Sequence, residues 1–153
     1  MKKVILSLFL SMALLSCVDN GTTFPENGDG VYYGDLVVGD YTQKSVGISV
    51  TETSDSTVDV FFDNVKFAVL MPVKIDITVK NVPCKKDALF SFEAKNVDPY
   101  INKEKDPQPS YRFSSIKGVV EDDELVLSAR MADGLAFYVA GKSFSFRGKK
   151  SKK

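Results

Sequence analysis

The sequence predicts an all-β domain of many short antiparallel strands, closed into a barrel or folded as a sandwich. From Gly30 to Phe146 the dominant period is two, with β-branched and aromatic residues on one parity and polar residues on the other. Turn-forming residues punctuate this alternation at short intervals, and no stretch carries a capped stripe of 3.6-residue period. Short connections make successive strands antiparallel neighbours, and an open sheet of so many strands would leave long edges unpaired.

The alternation opens at Tyr32, Gly34, Leu36 and Val38, and Gly39-Asp40 breaks it. Val46, Ile48 and Val50 form the second run, which ends in the polar cluster Thr53-Ser54-Asp55-Ser56. Val58, Val60 and Phe62 follow, then Asp63-Asn64 as a turn, then Val65, Phe67 and Val69 before Pro72. The clearest strand is Val73 to Lys80, with Val73, Ile75, Ile77 and Val79 on a buried face and Lys74, Asp76, Thr78 and Lys80 on a wet one. Pro83 reads as the next turn and Phe90, Phe92 and Ala94 as the next strand. After a long gap, Phe113 to Val120 and Leu125, Leu127, Ala129 and Met131 flank the acidic turn Glu121-Asp122-Asp123-Glu124. Phe137 and Val139 suggest another strand between Asp133-Gly134 and Gly141, and Phe144 and Phe146 a last one. The count is eight to ten.

The gap from Asn96 to Ser110 holds Pro99, Pro107, Pro109 and the charged run Lys103-Glu104-Lys105-Asp106. Loops of this length are either functional or disordered. Tyr100 and Tyr111 bracket it with Arg112 just after, a set of amphipathic groups suited to contacts at a barrel mouth.

At the N-terminus, Lys2-Lys3 precedes an apolar run from Val4 to Leu15, the layout of a secretory signal peptide. Twelve helical residues span about 18 Å, short of the roughly 30 Å of bilayer hydrocarbon. Leu14-Leu15-Ser16-Cys17 resembles the bacterial lipobox. That resemblance implies cleavage between Ser16 and Cys17 and a diacylglycerol on the Cys17 sulfur, usually with an acylated amino group, so that the acyl chains hold the protein to a membrane. An ordinary signal peptide with Cys17 at its boundary is the alternative. The expected division is a signal peptide over 1–16, a lipidated tether over 17–29, the barrel over 30–147 and a basic tail over 148–153.

Removing Lys2 and Lys3 leaves 18 basic against 20 acidic residues, with Arg147, Lys149, Lys150, Lys152 and Lys153 crowded at the end. A basic end of this kind suits either a solvated terminus or contact with anionic lipid. Near-neutral charge gives no reason to expect a nucleic-acid partner.

The order of motifs is similar to that of the calycin-like β-barrel lipoproteins of Gram-negative cell envelopes. The residues that carry the likeness are Gly30-Val31-Tyr32-Tyr33-Gly34-Asp35-Leu36, Val58 to Phe67, Met71-Pro72-Val73-Lys74-Ile75, Ile77 to Val82, and Gly118-Val119-Val120 with Leu125-Val126-Leu127. The resemblance implies an antiparallel up-and-down eight-stranded barrel, shaped like lipocalins and streptavidin. With no Trp in the chain, the lipocalin Gly-x-Trp signature is absent. Eight strands enclose room for side chains or for one small ligand. Eleven Phe favour a filled interior at one end, while Gly34 and Ala94 leave some room.

The chemistry is sparse. The chain has no His and only two Cys, so the commonest general base and a cysteine–histidine zinc site are both absent. Cys84 is the one thiol left once Cys17 is lipidated; Lys85 and Lys86 beside it would lower its pKa, whereas a free Cys at a turn would have no role. Gly141-Lys142-Ser143 lacks the upstream Gly and the helix of a phosphate loop, and Ser114 and Lys117 point to opposite faces of a strand. Glu121 to Glu124 suits a polar turn better than a calcium loop. No cofactor and no metal are expected beyond the covalent lipid.

These observations lead to a non-enzymatic, lipid-anchored envelope barrel at the outer membrane, with a weak lean to the periplasmic leaflet. It would bind a small apolar or carbohydrate ligand or a protein partner at the barrel mouth. A structural or inhibitory interaction module is the alternative, and a carboxylate-only hydrolase a distant third.

Overall fold

The fold is given by a computed structural model that describes residues 28–133 and 138–152. Among the described residues nine strands form: β1 (Gly30–Val38), β2 (Tyr41–Ser54), β3 (Thr57–Val65), β4 (Ile75–Lys86), β5 (Phe90–Val97), β6 (Tyr100–Ile101), β7 (Phe113–Glu121), β8 (Glu124–Met131) and β9 (Ser143–Lys150). All pairings are antiparallel. Leaving out the two-residue β6, each strand pairs with the next in sequence, and β9 returns to β1, with Leu36 opposite Phe146. The result is the expected closed, eight-stranded, up-and-down barrel.

Closure follows from the alternation. The residues of one parity, including Tyr32, Ile48, Val60, Phe62, Ile77, Phe92, Ile116, Leu127 and Phe146, are all buried, and their neighbours on the other parity face water. At one end of the interior four rings interlock. Phe144 lies edge-on to Phe62 and Phe113, both at 5.9 Å between centroids, and tilts against Phe67 at 5.1 Å. At the other end, where β1 begins, the Tyr32 hydroxyl donates to the Gly28 carbonyl at 2.8 Å, and the Glu52 backbone N–H donates to Asp29 Oδ1. Burial, with smaller contributions from Asp123 and Asp29, pushes the Tyr32 phenol up to about 12.

Glycine marks where the wall and core come closest. A Cβ on Gly118 would stand 2.1 Å from the Phe92 ring, and one on Gly34 would stand 2.0 Å from the Arg147 carbonyl oxygen. Gly34 therefore leaves no room for a ligand; it makes room for neighbouring backbone.

Several expected boundaries move. Strand β3 ends at Val65; Phe67 is buried from a loop, and Val69 is 71% exposed. Strand β4 begins only at Ile75, leaving Val73 59% exposed, because the chain from Lys66 to Lys74 is used to cross the end of the barrel. Asp63-Asn64 and Pro83 are not turns. They lie inside strands, where the β3–β4 register slips and Asn64 (φ 52°) and Asn81 (φ 55°) take left-handed conformations, as bulges demand. Tyr138 to Gly141 is a turn rather than a strand, with Val139 buried, and Phe137 lies outside the described residues. At the C-terminus β9 continues through Gly148, Lys149 and Lys150, expected in the tail, and pairs Lys150 with Tyr32.

Gly118→Ala will lower stability by about 1–3 kcal/mol in urea unfolding, and adding Phe92→Leu will give a double variant more stable than the two single losses sum to. The folded state holds the Tyr32 proton more tightly than the unfolded state. Its contribution is therefore complete below the ordinary phenol value of 10 and is lost as pH rises through about 12. Urea titrations from pH 9 to 12 will show a fall in stability of about 1–2 kcal/mol attributable to this group, and Tyr32→Phe will remove that component.

Candidate functional site

The barrel wall has one irregular seam. Strand β4 pairs with β5 only where Cys84, Lys85 and Lys86 face Phe92, Ser91 and Phe90. Beyond Phe92 the chain stays with β7 as far as Val97 opposite Phe113, and it returns to β4 at β6, where Tyr100 faces Thr78 and Ile101 faces Ile77. Between the two contacts β4 takes six residue steps (84 to 78) and the returning chain eight (92 to 100). The surplus bows outward at Asn96 (φ 53°), across from the bulge at Asn81, whose N–H donates to Asp59 Oδ1 at 2.8 Å.

The bow leaves an open groove of about 760 Å³ on the outer wall. Cys84, Phe92, Ala94 and Val97 give it an apolar floor, while Asn81 and Ser91 add polar groups. Lys85, Lys95, Lys117 and Glu93 complete its lining. None of these three lysines takes part in an ion pair among the described residues, so the groove carries an excess of positive charge. Its edges are poor templates for an added strand. Pro83 lacks an N–H, the β4 side carries a bulge, Asn96 on the other side is in a left-handed conformation, and lysines flank the gap.

The long segment expected as a loop is part of this wall. Tyr100 pairs through β6, and Lys80 Nζ sits 4.1 Å above its ring. Tyr111 ends a 3-10 turn, Pro109–Tyr111, and packs half-buried against the core. Arg112 grips Asp98 with two hydrogen bonds, Nε to Oδ1 at 2.6 Å and Nη2 to Oδ2 at 2.9 Å, which holds the Asp98 carboxyl below the usual carboxylate range. The three residues expected as mouth contacts thus lie on one segment beside the seam, each engaged with the wall. Ser16 and Cys17 lie outside the described residues.

Cys84 departs from the sequence expectation. It sits in β4, not at a turn, and burial pushes its thiol up, outweighing Lys86. Lys86 instead contacts Glu52, with Nζ 2.5 Å from Oε2. In the acidic hairpin, Asp122 and Asp123 form a two-residue turn at positive φ, and Glu124 pairs with Arg147 at 3.0 Å. The Ser114 hydroxyl donates to the Arg130 carbonyl rather than meeting a lysine. No group of three or more metal-ligating side chains occurs among the described residues.

Sequence reasoning missed Asn81, Glu93, Lys95 and Lys117 as groove residues. The signal was a parity change, since buried positions run Ile75, Ile77, Val79 and then Val82, Cys84.

No family model and no curated protein matches the chain. Among solved structures, a Bacteroides fragilis protein provisionally described as an outer membrane protein resembles it, with a TM-score of 0.54 at 19% identity. The alignment covers 80% of this chain and 51% of the other, so this chain spans about half of that protein, and the likeness is one of fold.

In a Cys17→Ser variant, Cys84 will react with iodoacetamide at pH 8 more slowly in the folded protein than in urea, because burial disfavours the thiolate. Faster labelling of the folded state would reinstate an activated thiol.

Proposed function

We propose that this chain is a lipid-anchored protein of the bacterial cell envelope that acts as an interaction module, working by binding rather than catalysis and through its outer wall and loops. The observation that carries the reading is the interior, filled from both ends by side chains of all eight long strands, with its aromatic cluster where a ligand would enter a hollow barrel. The lipobox-like segment ending at Cys17 supports the anchor, and the shared fold of the Bacteroides fragilis protein supports an outer-membrane setting. The motif order supports the calycin-like family.

A second reading has its own observation. The lysine-rimmed groove with an apolar floor suits an amphipathic anion, such as an acidic glycan or a glycolipid phosphate, and it lies on the wall rather than at the mouth, where the sequence suggested a small apolar or carbohydrate ligand.

Three measurements test these readings. The intact mass of protein from the membrane fraction of a Gram-negative host will begin at Cys17 and carry a diacylglyceryl group, and Cys17→Ser will lose it; an unmodified Cys17 would overturn the anchor. In a protein with Lys85, Lys95 and Lys117 replaced by Ala, an apolar naphthylamine dye displaceable by fatty acid will find no saturable one-to-one site, and such a site there would overturn the filled-interior reading. For the groove, replacing Lys85, Lys95 and Lys117 together with Ala will abolish retention on a sulfated-polysaccharide matrix.

A further inference from the structure

The β3–β4 connection, Lys66 to Lys74, displays apolar groups outward without a partner. Val69 is 71% exposed, Leu70 80% and Val73 59%, the three largest exposures of large hydrophobic side chains among the described residues. They are held out by their neighbours. Phe67 and Met71 drop into the barrel end, Phe67 against the Phe144 ring, and the Met71 N–H donates to the Ala68 carbonyl at 3.2 Å. The Lys66 N–H is fixed by Gln43 Oε1 at 2.9 Å. Two inward anchors and a turn thus present Val69-Leu70 as an ordered tip, and a lysine stands at each foot of the loop.

We propose that this loop is a membrane-contact element that buries Val69, Leu70 and Val73 among acyl chains of an anionic bilayer while Lys66 and Lys74 meet the headgroups. The chemistry fits a lipid surface. Neither lysine takes part in an ion pair among the described residues, and a basic side chain near an anionic surface adds to attraction while aliphatic side chains insert below it. A second copy of the chain is the weaker occupant. Three aliphatic side chains on one loop fall far short of the roughly 800 Å² that each partner of a stable protein interface buries. The contact is separate from the acyl anchor and does not depend on it.

The absence of Trp makes the test direct. The chain from residue 17 onward, with Cys17→Ser to remove the acylation site, is given one reporter: Leu70→Trp at the tip or Val126→Trp at an exposed position on β8. Vesicles of phosphatidylcholine with phosphatidylglycerol will shift the emission of the Leu70→Trp protein to shorter wavelength and leave the Val126→Trp protein unchanged. Adding Lys66→Ala and Lys74→Ala will weaken vesicle affinity about 30-fold. Val69→Ser with Val73→Ser will weaken it further, while circular dichroism stays that of the parent because all four positions lie outside the core. Emission of Leu70→Trp that ignores these vesicles, or an equal shift in both reporters, overturns the proposal. A shift that instead depends on protein concentration without lipid assigns the loop to self-association and overturns it as well.

Discussion

The structure depends on the narrowness of an eight-stranded cylinder. Such a barrel has interior space for side chains and little else, so every strand must place an apolar group of the right bulk inward at alternate positions. Where two bulky groups would collide, one position is glycine. Gly118 gives its space to the Phe92 ring, and Gly148 makes the same concession to Phe146, whose ring would stand 2.3 Å from a Cβ there. The same limit turns the functional question outward. A barrel filled by Phe62, Phe113, Phe144 and their neighbours presents its wall, seams and loops to the world, and the asymmetry of those features gives the molecule distinct faces.

The seam shows how the constraint is met when a strand is imperfect. Holding β5 against β7 and β4 against β3 leaves the two sides splayed, and β6 restores the pairing with two surplus residues. The Asp98–Arg112 pair ties the start of that detour to its end, and Lys80 over Tyr100 fastens its far contact. Both interactions are at the surface, where an isolated ion pair contributes about 1 kcal/mol or less. Their consequence is mainly geometric: they fix the segment from Asp98 to Arg112 as wall, so the groove beside it keeps its shape.

Much of this was legible in the sequence because the interior allows only one parity. Tyr32, Ile48, Phe62, Leu127 and Phe146 were assigned inward from alternation alone, and short turns such as Gly39-Asp40 and Asp122-Asp123 fixed antiparallel order. What escaped was whatever breaks the period without leaving the strand. Pro83 and Asn64 carry turn chemistry, yet a bulge uses the same left-handed or donor-free residues as a turn does. Val69 and Val73 fit the alternation and are exposed nonetheless, since periodicity cannot tell a strand from a loop that happens to alternate. The groove was illegible for a related reason. Its lysines come from three successive long strands, and only the register brings Lys85, Lys95 and Lys117 to one depression.

The two ends of the barrel then pose a question of reach. Gly28, pinned by Tyr32, leaves from the end opposite the Val69-Leu70 tip, so by its position alone an anchor at Cys17 would draw the other end to the bilayer. Distance decides otherwise. Eight strand residues rising 3.3 Å each, tilted by about 40°, give a barrel only about 20 Å tall along its axis. The eleven residues from Cys17 to Gly28 allow a chain path of up to about 36 Å when fully extended. With Cys17 acylated, a connection of that length would let the cylinder lie on its side or invert, and the surface groups rather than the point of attachment would set which face meets lipid. An apolar tip with a lysine at each foot favours the far end, whereas at the end where β1 begins the acidic Glu121, Asp122 and Asp123 stand beside the basic Lys149 and Lys150, so the charges there largely offset one another.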